Sequence, residues 1–279
     1  MATRTTETGT LAADAIGDLF DEVSGGRGAD NGDAVWDALV GSEWPSAAHA
    51  DAGPEDTLDL RAIQEIARVT GRYASATPIA STLLASTWFR DRELPADRAI
   101  LIALPRDGGS VALDAVDGAL LVTADGIADA PAAARVDRFA PTSATAAFEG
   151  VTPVEGERLA QTRAVLAAVA VGCADAVIEK SASWAATRQQ FGQPIARFQA
   201  VRHHLANMHM AREQAWTAAI VAGIETGTDR WATMALRLAR RAIDLGIQVH
   251  GGVGFTVEVG LDVYLKRVLE IESVVGGGS

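Results

Sequence analysis

Arg188 opens a short polar and aromatic segment, Thr187-Arg-Gln-Gln-Phe-Gly-Gln-Pro-Ile-Ala-Arg-Phe-Gln199, and Gln248-Val-His-Gly-Gly-Val-Gly-Phe255 follows further along the chain. A guanidinium is permanently charged and forked, so Arg188 suits a doubly charged anion; its other reading is a surface cation at a helix end. Gly251 and Gly252 carry no side chains, which lets backbone amides approach a ligand closely, although a simple helix stop would also place glycine there. Arg163 stands on an apolar stretch where an unpaired charge is costly, so a carboxylate or carbonyl partner is expected. His203, His204 and His209 invite a test for metal binding. No cysteine or carboxylate completes a ligand set, and neighbouring histidines on a helix diverge, so no metal site is expected.

The elements that must position these residues follow from periodicity. Ile16, Leu19, Phe20 and Val23 recur at helical spacing, and Trp36, Leu39 and Val40 begin a second apolar face after Asp33, beyond a Gly- and Asp-rich break. Leu60, Ile63, Ala67 and Thr70 mark a third helix, with Gly71 as its expected stop and Thr77-Pro78 as the start of a fourth. From Arg98 the period shortens. RAILIAL, SVALDAV and GALLVTA read as sequential antiparallel strands, and Ala124 to Ala134 reads as a loop. Residues Thr162 to Thr187 are small or apolar on nearly every side, the mark of a helix surrounded by protein. Phe198, Val201, Leu205, Met208, Ala215 and Ala219 form a stripe on the next helix. Trp231, Met234, Leu238, Leu245 and Val249 form one on the third, capped by Thr228 or Asp229. The expected fold class is therefore mainly α with a small β-domain: a helical unit at 1–97, a reduced sheet region at 98–154 and a helical bundle at 155–279.

Composition narrows the partners. Lys and Arg total 24 against 36 Asp and Glu, a formal net charge of -12, which repels nucleic acid on average. Cys173 is the one cysteine, so no internal disulfide framework exists and a reducing, cytoplasmic setting is expected. The first residues show no secretory apolar core, and no stretch has the length of a membrane span.

In this order, the two segments resemble the R-x-x-F-G-x-x-I-x-x-x-Q and Q-x-x-G-G-x-G-F segments of the acyl-CoA dehydrogenase family, and the chain is identified as a shortened member. The resemblance implies flavin adenine dinucleotide (FAD) lying across a subunit boundary. Arg188 would then meet the pyrophosphate and Gln248, with Gly251 and Gly252, would make a second contact. Phe191, Phe198 and Gln199 match positions around the adenosine or ring system, and Thr162-Arg163 matches a pair beside the active site in some members.

The family reaction needs a carboxylate to take the α-proton of an acyl thioester while the β-hydride passes to flavin. In most relatives that Glu lies 20 residues after the phenylalanine of the glycine turn, which here is Val275; in a minority it lies 26 before the arginine, which here is Thr162. The family's T-E-P-x-A-G-S-D loop and W-I-T strand have no counterpart between Arg98 and Glu155. Glu157, Glu270 and Glu272 fall on other helical phases and read as solvated surface. This pattern resembles the auxiliary chain of the two-gene, α2β2 steroid-catabolic enzymes of actinobacteria. It implies a longer partner subunit with the catalytic Glu, an acyl-CoA substrate and an electron-transfer flavoprotein. The alternatives are a homotetrameric flavoenzyme with an unrecognised base and a non-enzymatic scaffold.

Overall fold

Four helices open the computed structural model, which describes residues 7–24, 32–46, 58–133, 135–137, 144–225 and 229–276. They are α1 (Glu7–Ser24), α2 (Gly32–Gly41), α3 (Leu60–Arg72) and α4 (Ile79–Trp88). Ile16 and Phe20 of α1 and Leu39 of α2 are fully buried, as their spacing predicts. The Gly- and Asp-rich break and Thr228 lie at least partly outside the described residues.

Two expectations at helix ends are corrected. Gly71 does not stop α3, which runs on to Arg72 and closes at Tyr73. Gly71 instead lies where a later helix crosses, and a Cβ there would sit 2.0 Å from the carbonyl oxygen of Val169. Thr77 does not cap α4. Pro78 precedes the helix without a side-chain cap, and the Thr77 hydroxyl shares a hydrogen bond with Ser75 at 2.6 Å.

The strands are β1 (Ile100–Ile102), β2 (Leu104–Arg106), β3 (Gly109–Ala112), β4 (Leu120–Thr123), β5 (Gly126–Asp129), β6 (Arg135–Asp137) and β7 (Thr145–Phe148). They form two sheets, ordered β1-β4-β5 and β2-β3-β7-β6. The expectation of sequential antiparallel strands holds for β2-β3 and β4-β5, whereas β1 pairs with β4 in parallel. The stretch read as a loop contains β5. It escapes pattern reading because Gly-Ile-Ala-Asp is half exposed, lacks alternation, and is held through backbone pairing to β4 across a tight turn at Ala124-Asp125.

The bundle consists of α5 (Gly156–Thr187), α6 (Gln199–Ile224), α7 (Arg230–His250) and α8 (Asp262–Val275). Every residue of α5 from Thr162 to Ile178 is buried, as expected of a helix enclosed by protein. Asp175, inside that run, is compensated by Arg68 at 2.6 Å and Arg212 at 3.2 Å. The predicted α7 stripe is only partly in phase: Val249 is buried as expected, whereas Met234 is 43% exposed and Trp231, Leu238 and Leu245 are only half-buried. The buried face combines Leu236, Ile243 and Ile247 with Ala232, Ala235, Ala239, Ala242 and Gly246, whose small size lets the helices pack closely. On α6, Met208, Ala215 and Ala219 are buried as expected, but Val201 and Leu205 lie at the margin.

Candidate functional site

Packing of α5 against α7 brings the two sequence segments to one end of the bundle. Trp184, in the last turn of α5, stacks on His250, the last residue of α7, with ring centroids 5.3 Å apart. His250 is buried, and its Nδ1 lies 2.8 Å from the carbonyl oxygen of Gly246. The Arg188 guanidinium rests over the Trp184 ring at 5.7 Å. Trp184 and His250 went unnoticed in the sequence, although Trp184 stands one helical turn before Arg188 and so had to share its side of the helix.

Arg188 ends α5 in an extended conformation and leads into the hairpin Gln189–Gln190 and Gln193–Pro194, whose turn residues Phe191 and Gly192 both have positive φ. The turn projects Phe191, 92% exposed, edge-on to Phe198 at 6.0 Å. Gln199 begins α6, exposed, 3.2 Å from the ring of His203. No carboxylate among the described residues pairs with Arg188, which leaves its fork of donors facing solvent.

Gln248 is exposed on the last turn of α7. Gly251 has φ +67 and directs its amide to the carbonyls of Gln248 and Ile247, so it is a helix stop whose N–H is already used. Gly252, like Gly251, has nothing within 4 Å of where a Cβ would stand. The adjoining turn leaves Phe255 77% exposed. An exposed apolar patch beside an unpaired guanidinium and an open glycine backbone suits an anionic, partly aromatic ligand or a second protein surface.

The rest of the candidate site lies elsewhere. Arg163 has the carboxylate partner its setting demands, Asp229 at the start of α7. Thr162 is buried and donates to the carbonyl of Arg158 at 2.7 Å; Val275 is buried at the end of α8. His203 and His209 are exposed, and no group of three metal-ligating side chains occurs among the described residues. No helix there is long and apolar enough to cross a membrane.

Glu270 corrects an expectation. It is buried, not solvated, and accepts from Arg267 at 2.9 Å and from Thr145 at 2.6 Å. Arg267 is 1% exposed and reaches Asp114 at 2.6 Å, tying α8 to both β3's following loop and β7. Glu157 stays exposed with Gln161, and Glu272 pairs with Arg240. Asp114 was not singled out by sequence at all. It has φ +57, is 9% exposed, and lines a cavity of about 30 Å³ together with Thr162, Thr70, Thr77, Ser81 and Leu84.

Burial pushes the Asp114 carboxyl up to about 6 despite the opposing pull of Arg267. The folded state therefore binds a proton more tightly than the unfolded chain, and the associated stability is complete below the ordinary carboxylate range and lost as pH rises through 6. Wild type should lose roughly 1–3 kcal/mol from this group between about pH 4 and 7. Asp114→Asn should flatten that slope in urea titrations at stepped pH; an unchanged slope assigns it to another group.

Residues 149–277 match the family model described as acyl-CoA dehydrogenase, C-terminal domain. Acyl-CoA dehydrogenase FadE34 of Mycobacterium tuberculosis is 34% identical over 191 residues, covering 63% of this chain and 26% of that protein. The Tcur3481-Tcur3483 steroid ACAD variant superposes with TM-score 0.69 at 20% identity, covering 98% of this chain and 93% of that one. The ChsE4-ChsE5 complex from Mycobacterium tuberculosis gives TM-score 0.72 at 19% identity, covering 99% and 95%. At these identities the likeness to the solved structures is one of fold. The chain spans about a quarter to a third of the length of the curated relatives it matches.

Proposed function

We propose, from the premise that this chain belongs to the acyl-CoA dehydrogenase family, that it is the auxiliary subunit of a heteromeric, FAD-dependent enzyme whose longer partner carries the catalytic Glu. The observation that carries the reading is a division of resources. The two positions where the family's base would stand hold the buried, non-acidic Thr162 and Val275, whereas Arg188, Phe191, Gln248 and Gly252 are all exposed at one end of the bundle. The cavity beside Thr162, about 30 Å³, is an order of magnitude below the 300 Å³ or more of ordinary ligand pockets.

Members of this family bind FAD, and the donor chemistry here fits its diphosphate tail. Arg188 would hold the pyrophosphate, backbone around Gly252 and the side chain of Gln248 would approach it, and the Phe191–Phe198 pair with Gln199 would border the adenosine. Flavin supplies the hydride acceptor; this chain's residues supply binding and orientation. The exposed Phe191 and Phe255 and the Met234 edge of α7 offer apolar surface for the partner. The fold shared with a steroid enzyme and with a two-protein complex supports a steroid-derived acyl-CoA and an α2β2 assembly, with electrons passed to an electron-transfer flavoprotein. A cytoplasmic location fits this reading.

Co-expression with the longer homologue should give a yellow complex that oxidises acyl-CoA, while this chain alone stays colourless and inactive. In the complex, Arg188→Ala should weaken FAD retention roughly ten- to hundredfold, the worth of one charge-assisted contact of about 1.5–3 kcal/mol. Unchanged retention on dialysis would remove Arg188 from the site.

A further inference from the structure

The carboxyl of Asp114 is divided between two environments. Its Oδ2 accepts from Arg267 at 2.6 Å, and Arg267 does not line the cavity. Its Oδ1 is buried with no hydrogen-bond donor among the described residues. Leaving a buried carboxylate oxygen unpaired is costly, and here it adds to a left-handed backbone conformation at a non-glycine residue. Two such costs at one residue call for a compensating contact.

The cavity wall specifies its chemistry. Thr70, Ser81 and Thr162 donate their hydroxyl protons to the carbonyls of Ala67, Pro78 and Arg158 at 2.8, 2.8 and 2.7 Å, so their remaining capacity is to accept. Thr77 and Ser75 share one hydrogen bond in which either hydroxyl can donate. A guest that donates to Asp114 can therefore also donate to a hydroxyl oxygen of Thr70, Ser81 or Thr162. The volume of about 30 Å³ matches one water-sized molecule and excludes anything as large as an acyl group.

We propose that this cavity is a binding site for a single hydrogen-bond-donating guest, an internal water held between Asp114 Oδ1 and the hydroxyl wall. The water completes the Asp114–Arg267–Glu270–Thr145 network and fills the space next to Thr162. Ammonium has the same size and donor chemistry and is the competing occupant.

The site can be read by NMR on the full chain with labelled Ile, Leu and Val methyl groups. Long-lived water should give direct cross-relaxation to the methyls of Leu84, Val165, Leu166 and Val169, which line the cavity. Asp114→Val should abolish those peaks. Should that variant unfold, xenon-pressurised crystals of the wild type give an independent reading: an ordered water within hydrogen-bond distance of Oδ1 and no xenon. Xenon in the cavity, or absent water cross-peaks in folded wild type, overturns the proposal. Loss of the water peaks on adding ammonium chloride, with no such loss in sodium chloride, shows a second donor of the same size displacing the water from the site and supports the proposal.

Discussion

Arg267→Met is expected to cost about 3–5 kcal/mol of unfolding free energy, the loss seen when one member of a buried ion network is removed. Arg267 is fully enclosed and is the cation that contacts both Asp114 and Glu270. Without it two carboxyls remain in a low-dielectric setting, and among the described residues Glu270 keeps only Thr145 as side-chain donor and Asp114 keeps none. Asp114, already raised by burial, would be driven further toward its protonated form, so the loss should be larger at pH 8 than at pH 5. Against a typical domain stability of about 5–15 kcal/mol the variant would be marginal. The triple variant Arg267→Met, Asp114→Asn, Glu270→Gln discharges the cluster while keeping Asn, a residue that tolerates positive φ, at position 114. It should recover most of the loss, because replacing a whole buried ionic network is often close to neutral. Urea unfolding of wild type, single and triple variants measures this directly. A single-variant loss under about 1 kcal/mol, or no recovery in the triple, would show that the network does not hold α8 to the sheets.

That network marks the boundary of what the sequence reveals. Arg188, Phe191, Gln248 and Gly252 were named from two contiguous segments through their resemblance to the family's motifs, and the packing of α5 against α7 brings those segments to one end of the bundle. The partner of Arg163 was also foreseeable in kind, since a charge on an enclosed helix must be compensated; its identity as Asp229 was not, because the pairing spans two helices. Asp114, Thr145, Arg267 and Glu270 come from a loop, a strand and a helix distant in sequence, and each taken alone has the composition of surface. Glu270 was judged against one expected helical phase, and nothing local indicates that α8 turns that face inward. The misread α7 stripe has a related cause. Large apolar residues stand on both sides of α7, and the inner face, where Leu236, Ile243 and Ile247 are set among alanines, differs from the one that leaves Met234 at the edge.

Gly172 is the second position where a small change should have a large effect. Gly71 and Gly172 face each other where α3 crosses α5, and a Cβ on Gly172 would stand 1.9 Å from the carbonyl oxygen of Arg68 and 2.9 Å from the amide nitrogen of Arg72. Both obstacles are backbone, so no rotamer change can relieve them and the helices must separate. Alanine is intrinsically better than glycine in a helix by about 1 kcal/mol, so any net loss must come from the interface. Separation would loosen α5 against α3, including the Arg68–Asp175 ion pair that bridges them. Overpacking of this kind costs roughly 1–3 kcal/mol, and more where backbone blocks the way, so Gly172→Ala should lose at least about 2 kcal/mol net. Gly41→Ala is the control: it lies at a helix end with nothing within 4 Å of the new Cβ and should stay within about 0.5 kcal/mol of wild type. If Gly172→Ala instead matches Gly41→Ala in thermal unfolding, the close crossing of α3 and α5 is wrong, and with it the packing that places α5's buried face against the amino-terminal helices.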